Sequence, residues 1–194
     1  MEFILCPHNC AYAKMPNMNE KSTESTSATQ TADKDIIFMQ AAMAEADIAL
    51  SLGEVPIGAV VVFEGEIIGR GHNLRETSND PTTHAEMVAI RQAAEHIGHW
   101  RLLQTNLYVT LEPCVMCMGA VILARVPRLV YACRDPRAGA VGSIYDFAQD
   151  DRFNHKVEVT EGVLGEECSQ LLSGFFKELR AGRKAAKRPS EPGG

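Results

Sequence analysis

The sequence predicts a three-layer α/β/α domain around a five-stranded mixed sheet. Apolar residues at helical spacing alternate along the chain with short runs rich in Val, Ile and Leu, the pattern of helices packed on a sheet. Two of those runs are separated only by Glu64-Gly65, which reads as a hairpin turn, while later runs are separated by helical segments. The chain has 194 residues, 45% of them hydrophobic and 23% charged, which suits one ordinary globular domain.

The elements follow in order. Ile36, Met39, Met43, Ala46 and Leu50 recur at helical spacing, and Gly53 is the expected stop. Residues 56–63 read as a buried strand, and 66–73 return as its hairpin partner. A helix over 82–97 is introduced by Asp80-Pro81, a cap followed by a first-turn proline. Residues 107–111 form a strand, Pro113 opens a helix running to 124, and 128–132 form the next strand. A fifth strand over 157–163 and a helix over 166–183 close the domain. Residues 1–35 contain the polar run Ser22 to Thr29 and are expected to be a disordered extension ahead of the domain, 36–183. Residues 184–194 read as a basic, disordered tail.

Composition excludes several classes. A core of about 150 residues buries roughly two-thirds of its unfolded surface, so no metal is needed merely to hold the fold. Six cysteines in a chain of this size do not make a secreted disulfide scaffold, and Cys133 and Cys168 stand in apolar settings as buried hydrophobes. No apolar run approaches the ~20 residues of a membrane span, and the N-terminus lacks a signal-peptide pattern. The expected compartment is the reducing cytoplasm. Net charge is −6, which does not advertise nucleic-acid binding, but residues 175–194 carry six basic side chains against two acidic ones. That run is either a solvated tail or an arm for phosphates. Cys6, His8 and Cys10 offer too few ligands at workable spacing for a metal site.

Two segments carry chemistry. Cys114 and Cys117 lie three residues apart at a helix start, where free backbone N–H groups and the helix dipole favour thiolates. Alone, the pair also suits a redox dithiol or two buried cysteines. A catalytic zinc takes three protein ligands and leaves one position open for water. His84 supplies the third ligand, because the helix and strand between it and Cys114 return the chain to the same sheet edge. Glu86 is near enough to move protons without being a ligand. One geometric tension remains. Residues two apart point about 200° apart on an ideal helix of ~3.6 residues per turn. His84 and Glu86 face one metal only if His84 sits at an irregular helix start.

His84-Ala85-Glu86 with Pro113-Cys114-Val115-Met116-Cys117 matches the H-x-E…P-C-x-x-C signature of zinc-dependent nucleobase deaminases. The likeness extends through Glu54–Val60, Gly71–Asn73, Asp80–Glu86, Tyr108–Cys117, Asp135–Ser143 and Asn154–Val163, so the chain resembles the bacterial tRNA-specific adenosine deaminases over residues 36–188. The resemblance implies a cytidine-deaminase-like fold, one zinc ion per subunit, a homodimer, and conversion of the wobble adenosine of a tRNA anticodon stem-loop to inosine. It implies that Asn73 bonds the base, that the backbone at Ala85 and Pro113 lines the pocket, that Asp135 meets a neighbouring ribose, and that Phe176 and the basic tail meet the stem-loop. His72 departs from the aromatic residue expected at the pocket rim.

Three rival readings stay open. A deaminase of free guanine, cytosine or cytidine shares the whole zinc motif. A non-catalytic tRNA-binding subunit with structural zinc would lack the proton-carrying carboxylate. Iron fits the ligand types, although a Cys₂His set suits zinc best.

Overall fold

The structure, a computed structural model, describes the backbone of residues 24–186 and the side chains of 31–183. The Cys6/His8/Cys10 group and residues 187–194 of the tail lie outside the described residues. The elements are α1 (Glu24–Ser51), β1 (Gly58–Phe63), β2 (Glu66–His72), α2 (Arg75–Ser78), α3 (Ala85–Ile97), β3 (Thr105–Leu111), α4 (Val115–Ala124), β4 (Arg128–Cys133), β5 (Glu158–Glu161) and α5 (Gly165–Ala186). The sheet runs β2-β1-β3-β4-β5. β1 is antiparallel to β2 and β3, while β4 is parallel to β3 and β5, so the sheet is mixed and five-stranded as expected.

The period-2 alternation of each strand divides the core into two layers. Ala59, Val61, Leu107, Val109, Leu129 and Tyr131 face α3 and α4. Val60, Val62, Tyr108, Val130 and Ala132 face α1 and the start of α5, packing on Met39 and Cys168. Buried Asp35 fixes α1 to the sheet. Its carboxylate takes two hydrogen bonds of 2.8 Å from Arg128 and one of 2.9 Å from the Tyr108 hydroxyl. Burial works to raise the Asp35 pKa, but those donors outweigh it and hold the carboxyl below its ordinary value.

Helix boundaries correct the sequence reading, among them the end of α5, which runs to Ala186 through residues 184–186 of the expected disordered tail. α1 begins at Glu24, well ahead of Ile36, so residues 24–35 extend the helix instead of belonging to a disordered extension. Once a helix is nucleated by a packed segment, each further turn upstream is added at little cost, even in Ser/Thr-rich sequence. α3 begins at Ala85, not at residue 82. Asp80 spends its side chain on an Asx turn, accepting the Thr82 N–H at 2.8 Å, so the proline that follows opens a turn ahead of the helix.

α3 lies directly on β2 because β2 offers it glycine. A Cβ at Gly71 would collide with the Ala85 carbonyl and Ala89 amide of α3. The first turn of α3 is thereby held against the end of β2, which brings His84 and Glu86 beside Asn73.

Candidate active site

The sheet's own polarity creates the site. β3 and β4 are parallel neighbours, and the segments leaving their carboxyl ends stand at the end of the sheet where α/β folds bind ligands. From β3 the chain runs through Glu112 and Pro113 to Cys114, the N-cap of α4. From β4 it runs into Arg134 and Asp135. The start of α3 closes the third side.

His84 is the N-cap of α3, with φ −74° and ψ 154°. It therefore stands outside the helical spiral, and the 200° divergence from Glu86 does not apply. Its carbonyl still accepts the first helical N–H, from Val88, at 3.1 Å. Cys114 repeats this pattern at α4, with φ −76° and ψ 176°, so the expected helix opening at Pro113 is corrected by two residues. Cap and third helical position, not two positions of one helical face, bring its sulfur beside that of Cys117.

The three candidate ligand atoms form a compact triangle. His84 Nδ1 lies 3.7 Å from Cys114 Sγ and 3.5 Å from Cys117 Sγ, and the sulfurs are 3.8 Å apart. Tetrahedral zinc with ordinary bond lengths requires edges of about 3.8 Å between sulfurs and about 3.6 Å between sulfur and nitrogen. The donor set fits. Among the described residues, this is the only group of three or more His, Cys, Asp or Glu side chains so converged.

The local electrostatics favour a cation. The Cys114 thiol is held down to about 3 by its hydrogen bond with the Cys117 side chain and by the His84 ring, against burial. The Cys117 thiol is pushed up by the same contact with Cys114, then by burial and by Glu86. One thiolate disfavours a second beside it until a dication neutralises both. The His84 ring is raised, chiefly by its bond to Cys114. Glu86 is buried, and burial pushes its carboxyl above the ordinary value, with its own backbone amide and His84 opposing. Such a carboxyl is placed to hold and release a proton. Among the described residues the remaining thiols are inert by comparison, since burial raises Cys133 to about 11 and Cys168 to about 12.

Beside the triangle opens a pocket of about 580 Å³, within the range for small-molecule sites. Asn73, Ala85, Glu86, Asp135 and Phe176 all line it, together with His84 and Cys114. Pro113 does not. Its carbonyl accepts the Ala140 N–H at 2.9 Å, tying β3 to the loop after β4. His72 also faces elsewhere, its Nδ1 lying 3.0 Å from Glu45 of α1.

Several contributors were not singled out from the sequence, although Arg180 belongs to its basic C-terminal run. Arg75, Arg134, Arg137 and Arg180 stand around the pocket, so its rim is basic although the chain is acidic. Glu112 is a buried anchor for the rim loop. It accepts the N–H groups of Asp135, Val141 and Ser143 at 3.0, 2.9 and 3.0 Å, and the Ser143 hydroxyl. Burial works to raise the Glu112 pKa, but those donors outweigh it and hold the carboxyl below its ordinary value. Gly139 packs on that carboxylate, and any Cβ there would strike it.

Each comparison with known proteins finds deaminases. The MafB19-like deaminase family matches residues 32–180. A tRNA-specific adenosine deaminase of Bacillus subtilis strain 168 is 52% identical over 155 residues, covering 80% of this chain and 96% of that protein. A solved structure from work on A-to-I editing by tRNA:A34 deaminases at the wobble position is 44% identical with a TM-score of 0.68, over 70% of this chain and 98% of that one. A guanine deaminase structure from Nitrosomonas europaea is 25% identical with a TM-score of 0.61, covering 72% and 83% of the two chains. Among the described residues no helix is long and apolar enough to cross a membrane.

Proposed function

The chain belongs to the tRNA-specific adenosine deaminases of the MafB19-like deaminase family, with their cytidine-deaminase-like fold, and from that premise we propose that it converts the wobble adenosine of a tRNA anticodon to inosine. The observation that carries the chemistry is the His84/Cys114/Cys117 triangle with Glu86 buried beside it. Zinc held there by His84 Nδ1 and the two sulfurs, one ion per subunit, would act as a Lewis acid that makes water acidic near neutral pH. Glu86 takes a proton from the attacking water and delivers it to N1 of the base while C6 accepts the oxygen. It then carries a second proton to the amino group, which leaves as ammonia. Asn73 bonds the base edge, and the backbone at Ala85 lines its seat. Asp135 meets the adjacent ribose, and Phe176 meets the anticodon stem-loop. The four rim arginines supply the phosphate contacts that the overall charge does not. A tRNA substrate supports the expectation that the enzyme acts in the cytoplasm.

The test is a substrate panel. Purified protein with zinc is expected to release ammonia from an adenosine-containing anticodon stem-loop RNA, and not from free guanine, cytosine or cytidine. Turnover of the free compounds alone contradicts the tRNA reading and favours the guanine deaminase branch of the fold.

The protein is also proposed to be a homodimer. α4 carries no charged residue, yet Val115 is 46% and Leu123 72% exposed on it. Ile144 and Tyr145 add to the exposed apolar surface of the chain. A helix apolar on all sides is ordinarily covered. Light scattering is expected to give a dimer mass for the wild type and a monomer mass for Leu123→Asp. A wild-type monomer contradicts the proposal.

A further inference from the structure

Glu54 is fully buried in the loop between α1 and β1, and it is not on the pocket wall. A carboxylate in such a place is costly unless its oxygens are bonded. Both are. Oε2 accepts from Asn73 Nδ2 at 3.0 Å, and Oε1 accepts the Thr77 backbone N–H at 2.6 Å. Among the described residues no Lys, Arg or His forms an ion pair with it.

Asn73 is buried as well and lines the pocket. An amide side chain has a donor end and an acceptor end of nearly the same shape, and the chemistry it offers depends on which end points where. Both Glu54 oxygens accept from N–H donors, one from Thr77 and one from Asn73, so Glu54 holds Asn73 by its nitrogen end. The backbone leaves no slack, because the Asn73 N–H donates to the Ile57 carbonyl and the Leu74 N–H to the Thr83 carbonyl, each at 3.0 Å. With one N–H committed to Glu54, Asn73 presents Oδ1 and its second N–H in a fixed order. A nucleobase edge reads such an order as match or mismatch. Thr77 lies on α2 two residues from Arg75 of the pocket wall, so the same carboxylate also ties down that turn.

We propose that Glu54 is a positioning residue that anchors the amide nitrogen of Asn73 and so sets the donor–acceptor order offered to the base. This rests on the reading above that the pocket takes a nucleobase.

A double-mutant cycle on the full-length, zinc-loaded chain tests it with an anticodon stem-loop RNA. Glu54→Gln keeps the side-chain volume and an acceptor for Thr77, but lets the Asn73 amide turn over. It is expected to lower kcat/KM ~10-fold. In an Asn73→Ala background the same substitution is expected to cost less than about 2-fold, because no amide remains to be oriented. Glu54→Asp is carried through the same cycle, so that a poorly folding Gln variant still leaves a result. Equal losses in both backgrounds, with wild-type deamination intact, overturn the role of Glu54 alone. A wild-type chain inactive on the stem-loop and on free guanine, cytosine and cytidine overturns the nucleobase reading and this role with it; a chain active only on a free compound is carried through the same cycle with that compound.

Discussion

Glu86→Gln is expected to keep its metal and lose turnover on the order of 10⁴-fold, the upper range for removing a general acid–base group. Glutamine matches glutamate in size, so the 4% exposed site keeps its packing. Glu86 is not a member of the converged ligand group, so the ion's hold is untouched. What disappears is a group able to take a proton and give it back, and the proposed reaction uses it twice. Single-turnover rates on stem-loop RNA, with zinc content measured on the same samples, separate the two roles. Near-normal turnover would remove Glu86 from the mechanism, and parallel loss of zinc would make it a ligand.

Cys114→Ala is expected to abolish both zinc retention and activity while leaving a folded chain. Catalytic zinc sites rely on three protein ligands, and the loss of one leaves two donors at an open crevice. The fold survives because the hydrophobic clusters on both faces of the sheet include neither Cys114 nor Cys117. In this respect the domain differs from small zinc modules that unfold without metal. Wild-type protein stripped with a chelator should recover activity on zinc addition, whereas Cys114→Ala should not at the same zinc level. Elemental analysis and circular dichroism report the two halves of this expectation. Activity in a zinc-free Cys114→Ala sample would contradict it.

Much of this was legible in the sequence because the relevant signals are local. The alternation of Val60 and Val62 against Ala59 and Val61 gives a strand buried on both faces, and the Glu64-Gly65 turn gives the hairpin. The convergence of His84, Cys114 and Cys117 was legible because the motif is restrictive and its residues fall at element starts. Helix onsets were less so. Asp80 can cap a helix or close an Asx turn, and only the packed chain decides. The same holds at Pro113, where the carbonyl is taken by Ala140. The burial of the loop carboxylates Glu54 and Glu112 was not legible at all. Glu54 and Glu112 look like ordinary loop acids, since their partners Asn73, Thr77, Asp135 and Ser143 are distant in sequence. His72 shows the converse. It sits next to Asn73, yet strand alternation turns its ring away from the pocket toward Glu45.

The central claim is that this site deaminates one adenosine in tRNA. It is tested most directly by mapping inosine at nucleotide resolution in total tRNA from cells lacking the modification, after incubation with wild-type protein or Glu86→Gln. The account predicts inosine at the first anticodon position of tRNAs that carry adenosine there, with wild type only. Inosine scattered over other adenosines, or none despite a full complement of zinc, would contradict it.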